Sequence, residues 1–176
     1  PEEHLSDRET EARRLYHAIE RRFNRSLSSF EELDQLGVTR QAAFDYYDLA
    51  GALLRLVEGN IGLASQGELR SADLPTAVID ELREVFVALS SVLEEAVNAA
   101  LAPDRCTANQ VIDRCEDLRA TIGEIRRAST TDESLTIGRA ASCAVCRVID
   151  GLLRQLDRCT AVANIAIRRT MRTRTV

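Results

Sequence analysis

Residues 145–166 read VCRVIDGLLRQLDRCTAVANIA, and this stretch sets the fold class. Its apolar residues recur at alternating steps of four and three, and they are Val145, Ile149, Leu152, Leu156, Cys159, Ala163 and Ala166. Because an α-helix completes a turn in about 3.6 residues, this spacing places them on one face of a helix. A helix with such an apolar stripe packs side by side with other helices. The stretch therefore predicts a long helix within a bundle.

A first helix and a turn are predicted at the start of the chain. Ser6 and Glu9 have the spacing of a capping box, in which a hydroxyl and a carboxylate accept hydrogen bonds from free amides of the first turn. The apolar stripe of this helix comprises Leu15, Ile19, Phe23 and Leu27. Residues 30–38, which include Gly37, are predicted to form the turn that follows.

The second predicted helix begins near Thr39 and ends at Gly67. Its apolar stripe comprises Ala43, Tyr47, Ala50, Leu54, Val57, Ile61 and Ala64. Gly59 and Gly62 lie late in this helix, where a glycine costs about 1 kcal/mol relative to alanine. Two glycines so close together indicate either a tight contact with another helix or fraying of the helix end.

A third and a fourth helix are predicted next. Pro75 is placed in the first turn of the third helix, where proline is tolerated. The stripe of the third helix comprises Val78, Leu82, Val85, Leu89, Val92, Ala96 and Ala99. The fourth helix is predicted to begin at Thr107, with Gln110 completing a capping box. Its stripe comprises Val111, Cys115, Leu118, Ile122 and Ile125.

The fifth predicted helix spans residues 133–171, after a polar turn at 128–132. The five helices indicate an all-α antiparallel bundle that forms a single domain over residues 1–176. Helices one and two, like four and five, pair a charged helix with a longer helix rich in small residues, whereas helix three has no earlier counterpart. This order predicts two three-helix repeats whose first helix is missing. Since the chain also lacks a starting Met, we expect it to be the C-terminal part of a longer protein, or to receive that helix from a partner.

Charge and hydropathy narrow the possible partners. The net charge is −5, and all 23 basic residues are Arg. Because a nucleic-acid surface is normally basic, we expect no direct nucleic-acid binding by this segment. The sequence contains no signal peptide and no apolar run that approaches the ~18–20 residues of a membrane helix. We therefore expect a cytoplasmic protein that does not insert into a membrane.

The sequence contains no residue set that indicates catalysis or a zinc site. One C-x-x-C pair, Cys143 and Cys146, lies within a helical pattern, without the second pair that would complete four zinc ligands. Cys115 and Cys159 occupy stripe positions, where a thiol acts as a small apolar group. The two histidines lie near the start of the chain among charged residues. Because neither has a partner for nucleophilic or acid–base chemistry, we expect no enzymatic activity.

Two parts of the chain resemble archaeal phosphate-uptake regulators that carry a PhoU-like domain. Residues 14–27 (RLYHAIERRFNRSL) and 44–50 (FDYYDLA) are similar to the first half of those proteins. Residues 148–157 (VIDGLLRQLD) and 164–166 (NIA) are similar to their closing helix. The resemblance covers most of the chain, and its most specific parts are FDYY and NIA.

The resemblance implies a fold of two three-helix repeats, in agreement with the repeat predicted from the helix order. It also implies a non-enzymatic regulator of phosphate uptake or phosphate signalling that acts through protein–protein contacts. The implied partners are phosphate transporter or sensor proteins and a second copy of the chain in a homodimer. In the archaeal relatives a DNA-binding domain of the AbrB type often precedes the bundle, which would account for a missing start.

The metal motif of this family, Leu-Glu-Arg-x-x-Asp, is altered in the first repeat. In the family, two acids about one helical turn apart share a helix face and hold metal ions. Residues 53–58 read LLRLVE, so Leu54 replaces the first acid and Glu58 retains the second.

The motif of the second repeat is altered as well. Asp157 retains the first acid, whereas Ala161 replaces the second. If the alignment is instead fixed on residues 164–166, Leu156 and Thr160 occupy the two acid positions and both acids are lost. Either alignment breaks the set of ligands, so the family's metal binding is not carried over to this chain.

Glu58 and Asp157 are therefore the candidate metal-binding residues, as remnants of the family motif. We expect no bound cofactor, although a divalent or iron ion remains the alternative. Further acids that would enlarge such a cluster, or would instead pair with neighbouring Arg, are Asp45, Asp48 and Asp150.

The last helix ends in four basic residues, Arg168, Arg169, Arg172 and Arg174. Cations at a helix C-terminus are stabilised by the helix dipole, by roughly 0.3–1 kcal/mol each. The alternative is that they contact an acidic partner or a nucleic acid. Two alternative functions also stay open, namely a metal-binding bundle and the dimerisation or sensor domain of a DNA-binding transcription regulator.

Overall fold

The computed structural model describes residues 2–64, 75–131 and 139–173, and these residues form six α-helices and no β-strand. The helices are α1 (Glu2–Ser28), α2 (Phe30–Leu36), α3 (Arg40–Ala64), α4 (Thr76–Leu101), α5 (Arg105–Thr131) and α6 (Arg139–Thr173). The predicted all-α bundle is confirmed. The predicted number of five helices is wrong, because residues in the predicted turn at 30–38 form the short helix α2.

Helix α2 replaces the turn predicted at residues 30–38. Leu33 is buried, and this short helix packs against α1. The helix ends at Gly37, whose φ of 63° is the left-handed conformation that glycine adopts without strain. The amide of Gly37 donates to the Asp34 carbonyl and that of Val38 to the Leu33 carbonyl, which is the hydrogen-bond pattern of a Schellman C-cap. Gly37 is thus a helix stop rather than the centre of a turn.

Two of the predicted helix starts are also wrong. Helix α1 already runs from Glu2, so Ser6 lies inside it, and Glu9 forms an ion pair with Arg13 instead of closing a capping box. Helix α5 begins at Arg105, two residues before the predicted start.

Asp104 caps helix α5. Its carboxylate accepts hydrogen bonds from the Cys106 amide at 2.9 Å and the Thr107 hydroxyl at 2.7 Å. The hydrogen bond from the Thr107 hydroxyl, followed by those from the two backbone amides, lowers the pKa of the Asp104 carboxyl. Thr107 is the predicted cap, but its hydroxyl instead donates a hydrogen bond to Asp104, and Asp104 is the residue that caps the helix.

The predicted start of the second helix is confirmed, and that of the third is shifted. The Ala42 amide donates to the Thr39 hydroxyl oxygen at 3.1 Å, and helix α3 begins one residue later, at Arg40. Pro75 lies immediately before α4 rather than within its first turn. The predicted stop at Gly67 and the first residues of the predicted fifth helix lie outside the described residues, and α5 continues through most of the predicted turn at 128–132.

Helix α6 lies at the centre of the bundle. It packs against α3, α4 and α5, while α4 and α5 also pack against each other and α1 packs on α3. All seven residues of the stripe predicted in this helix are fully buried. The predicted stripe of α4 is likewise buried along its whole length. In α5 the prediction also holds, except that Leu118 is only partly buried.

The stripe predicted to be buried in α1 is largely exposed. The stripe predicted in α3 faces α1 instead of the main core. Leu15 is 61 % exposed and Ile19 is 39 % exposed, so much of the α1 stripe lies at the surface. In α3 the residues buried in the main core are Leu49, Ala52 and Leu56. Helix α3 carries two apolar faces, because it packs on α6 with one side and on α1 with another.

Two glycines bring α3 and α6 into close contact. A Cβ atom added to Gly59 would lie 1.7 Å from Arg158 Nη1 and 2.3 Å from Gln155 Nε2. A Cβ atom added to Gly151 would lie 2.2 Å from Leu63 Cδ2. A Cβ atom on Gly62 would meet nothing within 4 Å. Of the two explanations for the glycines of α3, tight helix contact therefore applies to Gly59.

Because Gly62 has open space around it and Gly59 does not, replacement by leucine should change the free energy of unfolding in opposite directions at the two positions. We expect Gly62→Leu to raise the free energy of unfolding by about 0.5–1 kcal/mol, because leucine favours the helix and has room. We expect Gly59→Leu to lower it by about 1–3 kcal/mol, because the added side chain would displace the buried Gln155 amide from its hydrogen bond to the Leu56 carbonyl. Urea unfolding followed by far-UV circular dichroism measures both values. Equal effects at the two positions would show that α3 and α6 are not in close contact at Gly59.

Among residues 2–64, 75–131 and 139–173, no helix is both long enough and apolar enough to span a membrane.

Candidate functional site

The most densely charged contact between helices joins the start of α3 to the end of α6. We call it the α3–α6 charge cluster, and its residues are Asp45, Tyr46, Asp48, Arg168, Arg169 and Arg172. The three α3 residues belong to the FDYYDLA stretch, and the three Arg follow the NIA stretch. The cluster therefore lies where the two parts of the chain that carry the family resemblance meet.

Two ion pairs connect the helices. Arg172 Nη1 lies 2.5 Å from Asp45 Oδ1, and Arg168 forms an ion pair with Asp48. The acids are three residues apart on α3 and the Arg are four apart on α6, so each pair presents both charges on one helix face. This matched spacing aligns the two helices along their length.

Arg169 adds contacts to a tyrosine and to a third helix. Its guanidinium lies 4.7 Å from the centre of the Tyr46 ring and donates a hydrogen bond to the Tyr46 hydroxyl at 3.2 Å. It also donates to the backbone carbonyl of Ala100 near the end of α4. A cation over an aromatic face is attracted by the ring's negative face. Arg169 thereby connects α3, α4 and α6 at one end of the bundle.

Burial is unequal within the cluster. The side chain of Asp45 is 4 % exposed, whereas that of its partner Arg172 is 36 % exposed. The side chains of Arg168 and Asp48 are 44 % and 33 % exposed, and an ion pair that is open to solvent contributes about 0–1 kcal/mol. A buried carboxylate without a partner is costly. The Asp45–Arg172 pair is therefore the energetically dominant contact of the cluster.

The basic end of α6 thus binds groups of the same chain. Arg168, Arg169 and Arg172 contact α3 and α4 of the same chain, while Arg174 lies outside the described residues. The sequence signal for this contact was an acidic pair spaced by three and a basic pair spaced by four. It could not be assigned because the two pairs are separated by more than a hundred residues.

The two candidate metal-binding residues form ion pairs with two different Arg. Glu58 of α3 pairs with Arg13 of α1 at 2.8 Å. Asp157 of α6 pairs with Arg119 of α5 at 2.7 Å. Asp150 is likewise held by an Arg of α5, Arg126, at 3.3 Å. The part of the chain that the structure describes contains no group of three or more His, Cys, Asp or Glu residues that could hold a metal ion.

These pairings predict the outcome of elemental analysis. We expect protein purified without a chelator to carry no stoichiometric iron, zinc or manganese, because Glu58 and Asp157 already have cationic partners, Arg13 of α1 and Arg119 of α5. Plasma mass spectrometry measures the metal content. A stoichiometric metal in the wild type that is lost in Glu58→Gln or Asp157→Asn would contradict this expectation and establish the remnants as ligands.

Two of the five cysteines are buried between α5 and α6, as their stripe positions predicted. Cys115 and Cys159 are in contact and are not joined by a disulfide. The hydrogen bond with Cys115, followed by burial, raises the pKa of the Cys159 thiol. A protonated thiol behaves as a small apolar group. The C-x-x-C pair behaves differently, since Cys143 is exposed and Cys146 is partly exposed.

A groove with acidic edges runs between α4 and α5. Its volume is about 410 Å³. Its floor is apolar and includes Val85, Leu118 and Ile125, and its carboxylates are Glu81, Glu84 and Glu124. Carboxylates around an apolar floor favour a ligand that is basic and partly apolar. On the neighbouring face of α4, Val87 is exposed at 67 %.

An aromatic cluster holds α1 on α3. The Phe23 and Tyr47 rings stack with centres 4.5 Å apart, and the Tyr16 and Tyr47 hydroxyls lie 3.0 Å apart. The hydrogen bond with Tyr47, followed by burial, raises the pKa of Tyr16 to about 12. Tyr16 therefore stays neutral at physiological pH, and the contact fixes the position of α1.

No protein-family model, no curated protein and no solved structure matches this chain.

Proposed function

We propose that this chain is a non-enzymatic regulator of phosphate uptake or phosphate signalling that acts through protein–protein contacts. The observation that carries the proposal is the contact between the two stretches that resemble PhoU-like domains. Asp45 of the first stretch pairs with Arg172, just beyond the second stretch. Gln155 of the second stretch is buried and donates to the Leu56 carbonyl of α3 at 3.3 Å. Residues that are far apart in the sequence thus form one joint between helices.

The packing order supports the two repeats that the resemblance implies. Helices α4, α5 and α6 all contact one another, while α1 and α3 form a pair that joins this unit through α3 and α6. If α1 and α3 correspond to α5 and α6, no helix of the described residues is the counterpart of α4 in the first repeat. This correspondence agrees with the repeat predicted from the helix order.

The distribution of charge supports a binding role rather than catalysis. Carboxylates on α3 and α6 are held by Arg, and His17 pairs with Glu20 of its own helix at 3.0 Å. In such a protein, α6 is the rigid centre, and the surface between α4 and α5 is available to a partner. The proposed partner, a phosphate transporter or sensor protein, would present a basic segment to Glu81, Glu84 and Glu124 of the groove.

Co-purification tests this proposal. We expect a tagged copy of the chain, expressed in its own cells, to retain a component of the phosphate transporter or its sensor. The double variant Glu81→Arg/Glu84→Arg should lose that component because it reverses the charge of the groove. Glu94→Arg, an exposed position on the same helix, is the matched control. Absence of any phosphate-system component from the wild-type sample would contradict the proposal.

One observation favours the alternative of a dimerisation or sensor domain in a DNA-binding regulator. Leu15 and Ile19 of α1 are exposed and apolar, as expected of a face that joins two copies. The coding sequence upstream of this segment distinguishes the two functions. A DNA-binding domain of the AbrB type encoded there would favour the alternative.

A further inference from the structure

An apolar groove runs along the pair formed by α1 and α3. One section, of about 220 Å³, is lined by Ala12, Leu15, Tyr16, Ile19, Ala50, Leu53, Leu54 and Val57. A second section, of about 160 Å³, is lined by Ile19, Arg22, Phe23, Ser26, Leu36, Val38, Ala43 and Tyr46. Ile19 belongs to both, so the sections join. At about 1.5 Å per residue, the α1 side of the groove is roughly 20 Å long, which is the length of three to four turns of a helix.

The equivalent position in the other half of the bundle is filled. There α4 lies against both α5 and α6 and buries its stripe from Val78 to Ala99. The lining of the α1–α3 groove includes no residue of α4, α5 or α6. The groove thus has the length and the apolar character for one more helix, and no helix of the described residues occupies it.

The distribution of charge along α1 indicates which helix would fill the groove between α1 and α3. Its first half, to residue 12, carries five carboxylates against one Arg, and its second half carries five Arg against one carboxylate. The helix dipole favours this order of signs but acts only within the first and last turns. The polarity of α1 extends along the whole helix, so the dipole explains only its ends.

Four Arg of the second half have no acidic partner among the described residues. No described carboxylate lies within ion-pair distance of Arg14, Arg21, Arg22 or Arg25, whereas Arg168 and Arg172 of α6 both pair with acids of α3. Arg22 itself lines the groove. An occupant of the groove should therefore be apolar on one face and should bring carboxylates to the C-terminal half of α1.

We propose that the occupant is helix α1 of a second copy of this chain, packed antiparallel to the first about a two-fold axis near Leu15, the midpoint of α1. In this arrangement the acidic half of each α1 faces the basic half of the other. A two-fold axis requires a surface that complements itself, and the charge order of α1 meets that requirement. Helices α1 and α3 of both copies then form a four-helix bundle that buries Leu15 and Ile19.

Sedimentation velocity over a wide range of protein concentration tests this dimer. We expect the wild-type chain to sediment at twice its monomer mass and the dimer to weaken as salt is raised. Ile19→Glu should weaken dimerisation by at least about 100-fold, because it places an unpaired carboxylate in the interface. Val87→Glu, which adds the same charge to the exposed face of α4, should leave the dimer intact.

A charge exchange tests the antiparallel arrangement. One variant, Arg21→Glu/Arg22→Glu/Arg25→Glu, makes both halves of α1 acidic, and the other, Asp7→Arg/Glu11→Arg, makes α1 predominantly basic. We expect each variant alone to be monomeric and the mixture to form a heterodimer. Far-UV circular dichroism verifies that the helices are retained.

Three results would overturn the proposal. The first is a wild-type chain that is monomeric at every concentration. The second is a dimer that survives Ile19→Glu but is lost in Val87→Glu. The third is a photo-crosslinker at Leu15 that reacts with a different segment or with another protein instead of with α1 of a second copy.

Discussion

Leu156→Ala is expected to lower the free energy of unfolding by about 2–5 kcal/mol. Leu156 is fully buried in α6, within the core that α6 shares with α3, α4 and α5. Removing its side chain forfeits the transfer free energy of the lost groups and leaves a cavity that close-packed neighbours fill only in part. Chemical denaturation of the purified chain, followed by far-UV circular dichroism, measures the change.

Leu101→Ala is the matched control for this substitution. Leu101 is the last residue of α4 and is 59 % exposed. We expect its replacement to change the free energy of unfolding by no more than about 0.5 kcal/mol. Equal effects of the two substitutions would show that α6 does not lie at the centre of the bundle.

Arg172→Ala is expected to lower the free energy of unfolding by about 2–3 kcal/mol. The substitution leaves Asp45, whose side chain is 4 % exposed, without its cationic partner. The value lies below that of a fully buried pair because Arg172 is itself partly exposed and water screens the interaction. Arg83→Ala, which removes an exposed pair with Asp80 on α4, is the control and should cost about 0.5 kcal/mol or less.

A second substitution distinguishes two causes of the lost stability, the broken ion pair and the lost packing of the Arg172 side chain. In the Arg172→Ala background, Asp45→Asn should recover part of the lost stability, because the buried group no longer carries a charge. If Asp45→Asn destabilises the Arg172→Ala protein further, the loss caused by Arg172→Ala does not come from an unpaired carboxylate.

The core of the bundle could be predicted because its apolar residues recur at a regular spacing along the sequence. The stripes of α4 and α6 each contain seven apolar residues at regular spacing, and both are buried as predicted. The stripe of α1 has the same spacing, but periodicity identifies an amphipathic helix without identifying what covers its apolar face. Periodicity therefore could not predict that Leu15 and Ile19 are exposed.

Helix ends and short helices were less predictable. Capping-box patterns at Ser6 and Thr107 are short, and nearby residues compete for the same role. Asp104 caps α5 instead of Thr107, and α1 continues past Ser6 to Glu2. Helix α2 has only seven residues, too few for a periodic signal.

The candidate site could be predicted only in part. The sequence supplied the acids of α3 and the Arg of α6, with the correct spacing for two helix faces. It did not reveal that Asp45 meets Arg172, because that contact depends on how α3 and α6 pack. The contact at Gly59 also depends on how α3 and α6 pack. The pair of glycines in α3 indicated a tight contact with another helix, but the pattern did not identify Gln155 and Arg158 as the neighbours.

The rate of phosphate uptake by the source cells tests the proposed function most directly. Cells that lack the gene should take up phosphate at a rate that no longer falls when external phosphate is plentiful. A wild-type copy of the gene should restore the normal response. Identical uptake rates, and an identical response to phosphate, in cells with and without the gene would contradict a role in phosphate regulation.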